Sequence, residues 1–294
     1  MTAPLDWARD SAGWPHREQS RLVDAGGLRW HVQQWGPTGA PVLLMLHGTG
    51  ASTHSWRTLA PRLAAEWCVL APDLPGHAFT QTPPAATLTL PGMARAVAAL
   101  LAALRLAPRI IVGHSAGAAV AAQMVLDGLA APRALAGLNA AFLPFGGLAA
   151  PLFTPLARLL YSVPAAPRWL ARRAADEAVV RRLVAGTGST LDAEGLAFYA
   201  RLLRSQAHGR SALGMMAHWD LHSLSRRLPG LALPLHLLAG GQDRAVPARQ
   251  ARRVQAAVGG STLRVLPGLG HLAHEEDAAA VLQWLRPIMD AALR

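Results

Sequence analysis

An alcohol, an imidazole and a carboxylate, brought together from distant points of a chain, can break an acyl bond. The alcohol here is Ser115, in Gly113-His114-Ser115-Ala116-Gly117. A serine hydroxyl is a weak nucleophile at neutral pH, so it needs a base to take its proton and a third group to orient that base. His271, in Gly268-Leu269-Gly270-His271, is the best placed of the twelve histidines to be the base. Asp243, in Gly240-Gly241-Gln242-Asp243, is placed to be the orienting carboxylate. Two other readings stay open on the sequence: Asp243 as the cap of a helix starting near Pro247, and His274 in place of His271. His274 is the second choice because it adjoins Glu275 and Glu276 at a helix start, where acids and polar caps are common. Attack on an acyl carbon also develops an oxyanion, and losing one backbone N–H aimed at it costs about 3 kcal/mol of barrier. Ala116, directly after the serine, offers one such amide; Thr49, in His47-Gly48-Thr49-Gly50, offers the second.

These groups meet only if the chain delivers them to one edge of a sheet. Ile110-Ile111-Val112 is an apolar, β-branched run ending at glycine, as in a buried strand, and the small residues Ala116 to Met124 suit a helix packed closely on that sheet. Gly113 and Gly117 carry no Cβ, which lets strand and helix approach across a sharp turn at the serine. Val42 to Leu46 and Cys68 to Ala71 are continuous apolar runs, the mark of parallel strands covered on both faces. Ala136 to Asn139, Leu235 to Ala239 and Thr262 to Leu266 read as further strands, and Arg21 to Trp35 as a hairpin at the sheet edge. Ser55 to Glu66, Leu88 to Leu106, Pro247 to Val258 and Glu275 to Leu293 have helical spacing. Ser115, Asp243 and His271 therefore each follow a predicted strand.

Between Phe142 and Leu228 strand signals vanish, while helical patches such as Arg168 to Val184 and Ala193 to Gln206 persist between prolines and glycines. A plain loop does not run that long. The expected organisation is an α/β core over residues 1–141 and 231–294, with a helical insertion over 142–230. Eleven arginines against five acids give this insertion about half of the formal net charge of +11. The sequence holds no lysine, which excludes a Walker-type phosphate loop. The arginines are scattered, with few aromatic residues between them, which argues against nucleic acid as a partner. His218 and His222, four apart around Asp220, would share a helix face, but no third ligand is evident, so neither a metal nor another cofactor is expected. Asp73 reads as a loop organiser and Cys68 as a buried, inert thiol. Residues 134–157 are uncharged but broken by prolines and glycines, which reads as a strand entering an apolar lobe rather than a membrane span. Nothing near Met1 has the apolar core of a signal peptide, so the expectation is a cytoplasmic chain.

The order Ser115, Asp243, His271, each after a strand, resembles that of the α/β-hydrolase superfamily over nearly the whole chain. Longer strings are similar to the magnesium-chelatase accessory proteins of bacteriochlorophyll biosynthesis: His47 to Trp56, Gly113 to Ala119, Leu138 to Phe145 and Gly268 to Glu276. The first resemblance implies an α/β-hydrolase fold, with a mostly parallel central sheet flanked by helices and a helical cap inserted after the sixth strand. The second implies a role near magnesium insertion into protoporphyrin, with chelatase subunits as partners. In such a cap Phe145, Met215 and Trp219 could line an apolar pocket with arginines at its rim, suited to an apolar acyl or tetrapyrrole-like substrate. An apolar cap also allows peripheral contact with a membrane.

Overall fold

The computed structural model describes residues 4–144, 160–163, 169, 171–173 and 176–294. Eight strands form one sheet: β1 (Ser20–Ala25), β2 (Leu28–Trp35), β3 (Val42–Leu46), β4 (Cys68–Pro72), β5 (Pro108–His114), β6 (Ala134–Leu138), β7 (Leu235–Gly240) and β8 (Thr262–Leu266). Their spatial order is β1-β2-β4-β3-β5-β6-β7-β8. The hairpin β1–β2 is antiparallel and joins β4 antiparallel; every later pairing is parallel.

The continuous apolar runs divide their side chains between two cores because successive residues of a strand point to opposite faces. Leu44 and Leu46 of β3 and Ile111 of β5 pack with Met93 and Val97 of helix α3 (Leu90–Leu104) and Val120 of α4 (Ala116–Leu126). Leu43, Met45, Ile110 and Val112 face the other way, onto Trp56, Trp67 and the Val281 and Leu285 of the C-terminal helix. Helices on both faces explain why β3, β4 and β6 are buried at every residue.

Register fixes where the loops emerge. Leu46 pairs with Gly113, His114 with Leu138, Leu138 with Leu238 and Gly240 with Leu266. The segments after β3, β5, β6, β7 and β8 consequently leave the sheet at one carboxyl edge.

Two helices differ from expectation. Ser55 to Glu66 is not one helix: a 3-10 turn covers Thr53–Trp56 and a single α turn covers Ala60–Leu63, with Pro61 in its first turn. Glu275 to Leu293 is broken at Asp277, whose extended backbone ends the short helix Ala273–Glu276 and whose side chain caps Ala278–Leu293 through Ala280 N.

Among the described residues the segment between β6 and β7 holds α5 (Glu177–Gly186), α6 (Ala193–Arg204), α7 (Gln206–His218) and α8 (Leu221–Arg227). Asp176, Asp192, Ser205 and Asp220 cap these four helices in turn. Asp220 is thereby engaged with the amides of His222 and Ser223. Leu221 and Leu224 of α8 belong to the main core, so this helix flanks the sheet. No helix among the described residues is long and apolar enough to cross a membrane.

Candidate active site

Ser115 has φ 49° and ψ −115°, a backbone conformation that costs a non-glycine residue energy and survives only where its surroundings enforce it. The enforcement is visible. Ser115 N donates to Leu138 O at 2.9 Å, and Ser115 O accepts from Ala118 N and Ala141 N. A Cβ on Gly113 would strike the backbone of Ala118, and one on Gly117 would strike the Leu46 carbonyl, so both glycines are needed for β5 and α4 to meet. From Ile110 to Met124, Ser115 alone is not fully buried.

Asp243 and His271 come together from the loops after β7 and β8. His271 Nδ1 lies 2.8 Å from Asp243 Oδ2, with the carboxylate wholly buried and the imidazole 11% exposed. The other carboxylate oxygen accepts from Ala245 N at 2.8 Å and Val246 N at 2.7 Å. Asp243 therefore shapes the turn before helix α9 (Ala248–Ala257) with one oxygen and holds the imidazole with the other. Asn139, on the turn after β6, donates to Oδ2 as well, at 2.7 Å.

Ser115 reaches this pair through its neighbour. His114 Nε2 donates to His271 O at 2.9 Å, and the two rings lie 4.8 Å apart between centroids. Among the described residues neither Ser115 Oγ nor His271 Nε2 makes a hydrogen bond, to each other or to a third group. His274 is placed differently. It has no exposed surface, lies between Trp56 and His114 with its ring tilted to both, and among the described residues its ring nitrogens have no partners. Burial, and then the charges of His271 and Arg57, push its pKa down to about 3. A group so reluctant to take a proton is ill suited to general-base work.

The loop after β3 lies against the serine: a Cβ on Gly48 would sit 2.7 Å from His114 Nδ1 and 3.1 Å from Ser115 Cβ. Its shape is set by two buried histidines, His47 of the loop itself and His208, which the sequence did not single out. His47 donates from Nδ1 to Gly48 O at 2.8 Å and accepts Leu74 N at Nε2 at 2.9 Å. His208 of α7 donates from Nε2 to Gly50 O at 3.1 Å and accepts Ala78 N at Nδ1. Burial holds both imidazoles below their ordinary pKa, His208 at about 4, which fixes each as a neutral donor and acceptor. The amides of Thr49 and Ala116 find no acceptor among the described residues.

Asp73 is buried and accepts from His31 Nδ1 at 2.7 Å and from the amides of Thr53 and Phe79. Burial opposes its charge, but His31 and these hydrogen bonds prevail and hold its pKa at about 2. It organises the loops beside the site. The segment after His271 is tied to α6: Glu275 accepts from Arg57 Nη1 at 2.6 Å and from Tyr199 OH at 2.7 Å. Of the apolar candidates, Met215 is fully buried in the main core, and Trp219 packs against it while donating to Leu88 O at 2.9 Å. Phe145 lies outside the described residues.

The sequence matches the profile described as the alpha/beta hydrolase family over residues 43–284. This chain belongs to the alpha/beta hydrolase family. Within the family it is 39% identical over 278 residues to the magnesium-chelatase 30 kDa subunit of Rhodobacter capsulatus, spanning 93% of this chain and 97% of that one. Solved structures share the hydrolase fold at lower identity. A putative lipase from Acinetobacter baumannii superposes with a TM-score of 0.78 at 21% identity, covering 93% of this chain and 91% of that one. An esterase from Exiguobacterium antarcticum superposes with a TM-score of 0.76 at 18% identity, covering 92% and 98%.

Proposed function

We propose that this alpha/beta hydrolase family member is a serine hydrolase of an ester or similar acyl bond, working alongside magnesium chelatase in bacteriochlorophyll biosynthesis. The observation that carries the reading is the hydrogen-bonded Asp243–His271 pair at the sheet edge where Ser115 stands in a strained turn. In the proposed reaction His271 Nε2 takes the Ser115 hydroxyl proton as Oγ attacks the acyl carbon. Asp243 accepts from Nδ1–H, holds the tautomer and stabilises the imidazolium that forms. The free amides of Thr49 and Ala116 receive the oxyanion. His271 then passes the proton to the leaving group, and water repeats the sequence on the acyl-serine. The insertion over residues 142–230 serves as the cap in this reading, with Phe145, Met215 and Trp219 shaping an apolar acyl or tetrapyrrole-like site in a cytoplasmic protein. A fluorophosphonate probe tests it: wild-type protein is expected to be labelled at Ser115, and folded protein that resists labelling would remove the activated serine.

A second reading rests on the 39% identity to a chelatase subunit. Here the chain is an accessory protein that holds a porphyrin or contacts the chelatase without turnover, since a fold does not dictate activity. Ser115→Ala separates the two. Pigment synthesis and porphyrin binding that survive the substitution unchanged favour the accessory role, whereas lost synthesis with intact binding favours the enzyme.

A further inference from the structure

Asn139 follows β6 directly and binds both Asp243 and the backbone just before His271. Its Nδ2 donates to Asp243 Oδ2 at 2.7 Å and to Gly270 O, the carbonyl preceding His271, at 3.1 Å. Both partners are pure acceptors, so only the amide's NH2 end can face them, and the orientation of the side chain is determined. The opposite end, Oδ1, is buried without a partner. The residue also stands at φ 48°, pinned by Asn139 N donating to Leu238 O at 2.7 Å. An amide that accepts a left-handed backbone and an orphaned buried carbonyl is present for its two N–H groups.

We propose that Asn139 is a positioning residue for the pair, clamping Asp243 Oδ2 where His271 Nδ1–H must meet it and sharing the charge of that oxygen. The proposal rests on the serine-hydrolase reading for its catalytic meaning. Four donors surround the Asp243 carboxylate: His271 Nδ1, Asn139 Nδ2 and the amides of Ala245 and Val246. Held by four donors, the carboxylate keeps Oδ2 on His271 Nδ1 and so fixes the orientation of the imidazole. The ionisable groups facing His271 are Asp243 after β7, His114 on β5 and His274 on the helix that follows, while Glu276 accepts from Gly270 N at 3.0 Å. Burial keeps His114 and His274 neutral, which leaves Asp243 as the charge in contact with the imidazole.

Asn139→Gly removes the carboxamide and suits the left-handed backbone; Asn139→Asp keeps the shape and replaces the NH2 with a second ionisable oxygen. The titration of His271, followed by NMR on protein with 15N-labelled histidine, is expected to move upward in both folded variants. The shift should be larger for Asn139→Asp, where two carboxylates face one imidazole, than for Asn139→Gly. The acid limb of fluorophosphonate labelling at Ser115 should move with it, a change that loosened packing alone would not produce. His271 titrating at the wild-type midpoint in both variants overturns the proposal. Wild-type protein that never labels at Ser115, while the titration still moves, sinks the hydrolase reading and leaves the hold of Asn139 on the pair established.

Discussion

His114 and His271 are 157 positions apart in sequence, yet the ring of the first donates to the backbone oxygen of the second at 2.9 Å. This bond ties the strand that ends just before Ser115 to the loop that carries His271, so in the proposed reaction the spacing of the serine and its base depends on a side chain that reacts with nothing. His114→Ala leaves that carbonyl without its donor and opens space beside His274. Labelling of Ser115 by a fluorophosphonate should slow by about 10- to 100-fold, the range expected when a base drifts by a fraction of an ångström to an ångström. An unchanged inactivation rate in folded protein would show that the His271 loop holds its place without this bond.

His271 and His274 are both imidazoles near the serine, and their environments assign them opposite behaviour. His271 has a carboxylate on one nitrogen and an open edge on the other; His274 is sealed between aromatic rings with its pKa near 3. His271→Ala is expected to reduce labelling by about 10³-fold or more. His274→Phe, which keeps a flat ring beside Trp56 and His114, should stay within about threefold of wild type in labelling, since only residues that hold or move the proton contribute such factors. The reverse pattern would make His274 the base.

Much of this arrangement is legible in the sequence because hydrophobic patterning and chain order are local signals. Val42 to Leu46 and Ile110 to Val112 read as covered strands, and β3 and β5 are buried on both faces. Asp243 and His271 were legible because each follows a strand across a glycine-rich loop, and the structure joins them by a hydrogen bond. The residues that steady them were not legible. Asn139 serves Asp243 across 104 positions, and His208 serves Gly50 across 158, so their partners depend on strand order and on the path of the insertion. The break at Asp277 was missed for another reason: helical periodicity runs on through Glu275 to Leu293, and a capping aspartate inside it resembles any exposed acid.

Gly117 and Gly48 separate a packing constraint from a chemical one. A Cβ on Gly117 would enter the Leu46 and His47 main chain, which cannot move without parting β3 from α4. Gly117→Ala should lower stability by about 1–3 kcal/mol or prevent folding, measured by urea unfolding. A Cβ on Gly48 would meet only side chains, at 2.7 Å from His114 Nδ1 and 3.1 Å from Ser115 Cβ. Gly48→Ala should therefore fold, with a smaller loss of stability and a larger loss of labelling. Equal effects of the two substitutions on stability and on labelling would contradict the distinction.

Acid should unfold this protein within a narrow range. His47, His54, His77, His114, His208 and His274 are all buried, and burial lowers the pKa of each below 6.5, His208 to about 4 and His274 to about 3. The unfolded chain binds a proton at each as pH falls through about 6.5, while the folded chain stays neutral there. The stability these groups contribute is present above 6.5 and is lost as pH falls toward their folded values. Each adds to the excess of protons bound by the unfolded chain, so the six act in one direction and steepen the fall of stability together. Asp73, held at about 2, adds a similar loss only below about 4 and arrives too late to set the transition. Calorimetry should find a nearly flat Tm above about pH 7.5 and a steep fall below about pH 6. His208→Gln, which keeps a side-chain amide at the position facing Gly50 and Ala78, should shallow that fall by one proton's worth. A Tm that stays level from about pH 7.5 to about pH 4.5 would mean that the buried histidines are already protonated in the folded state.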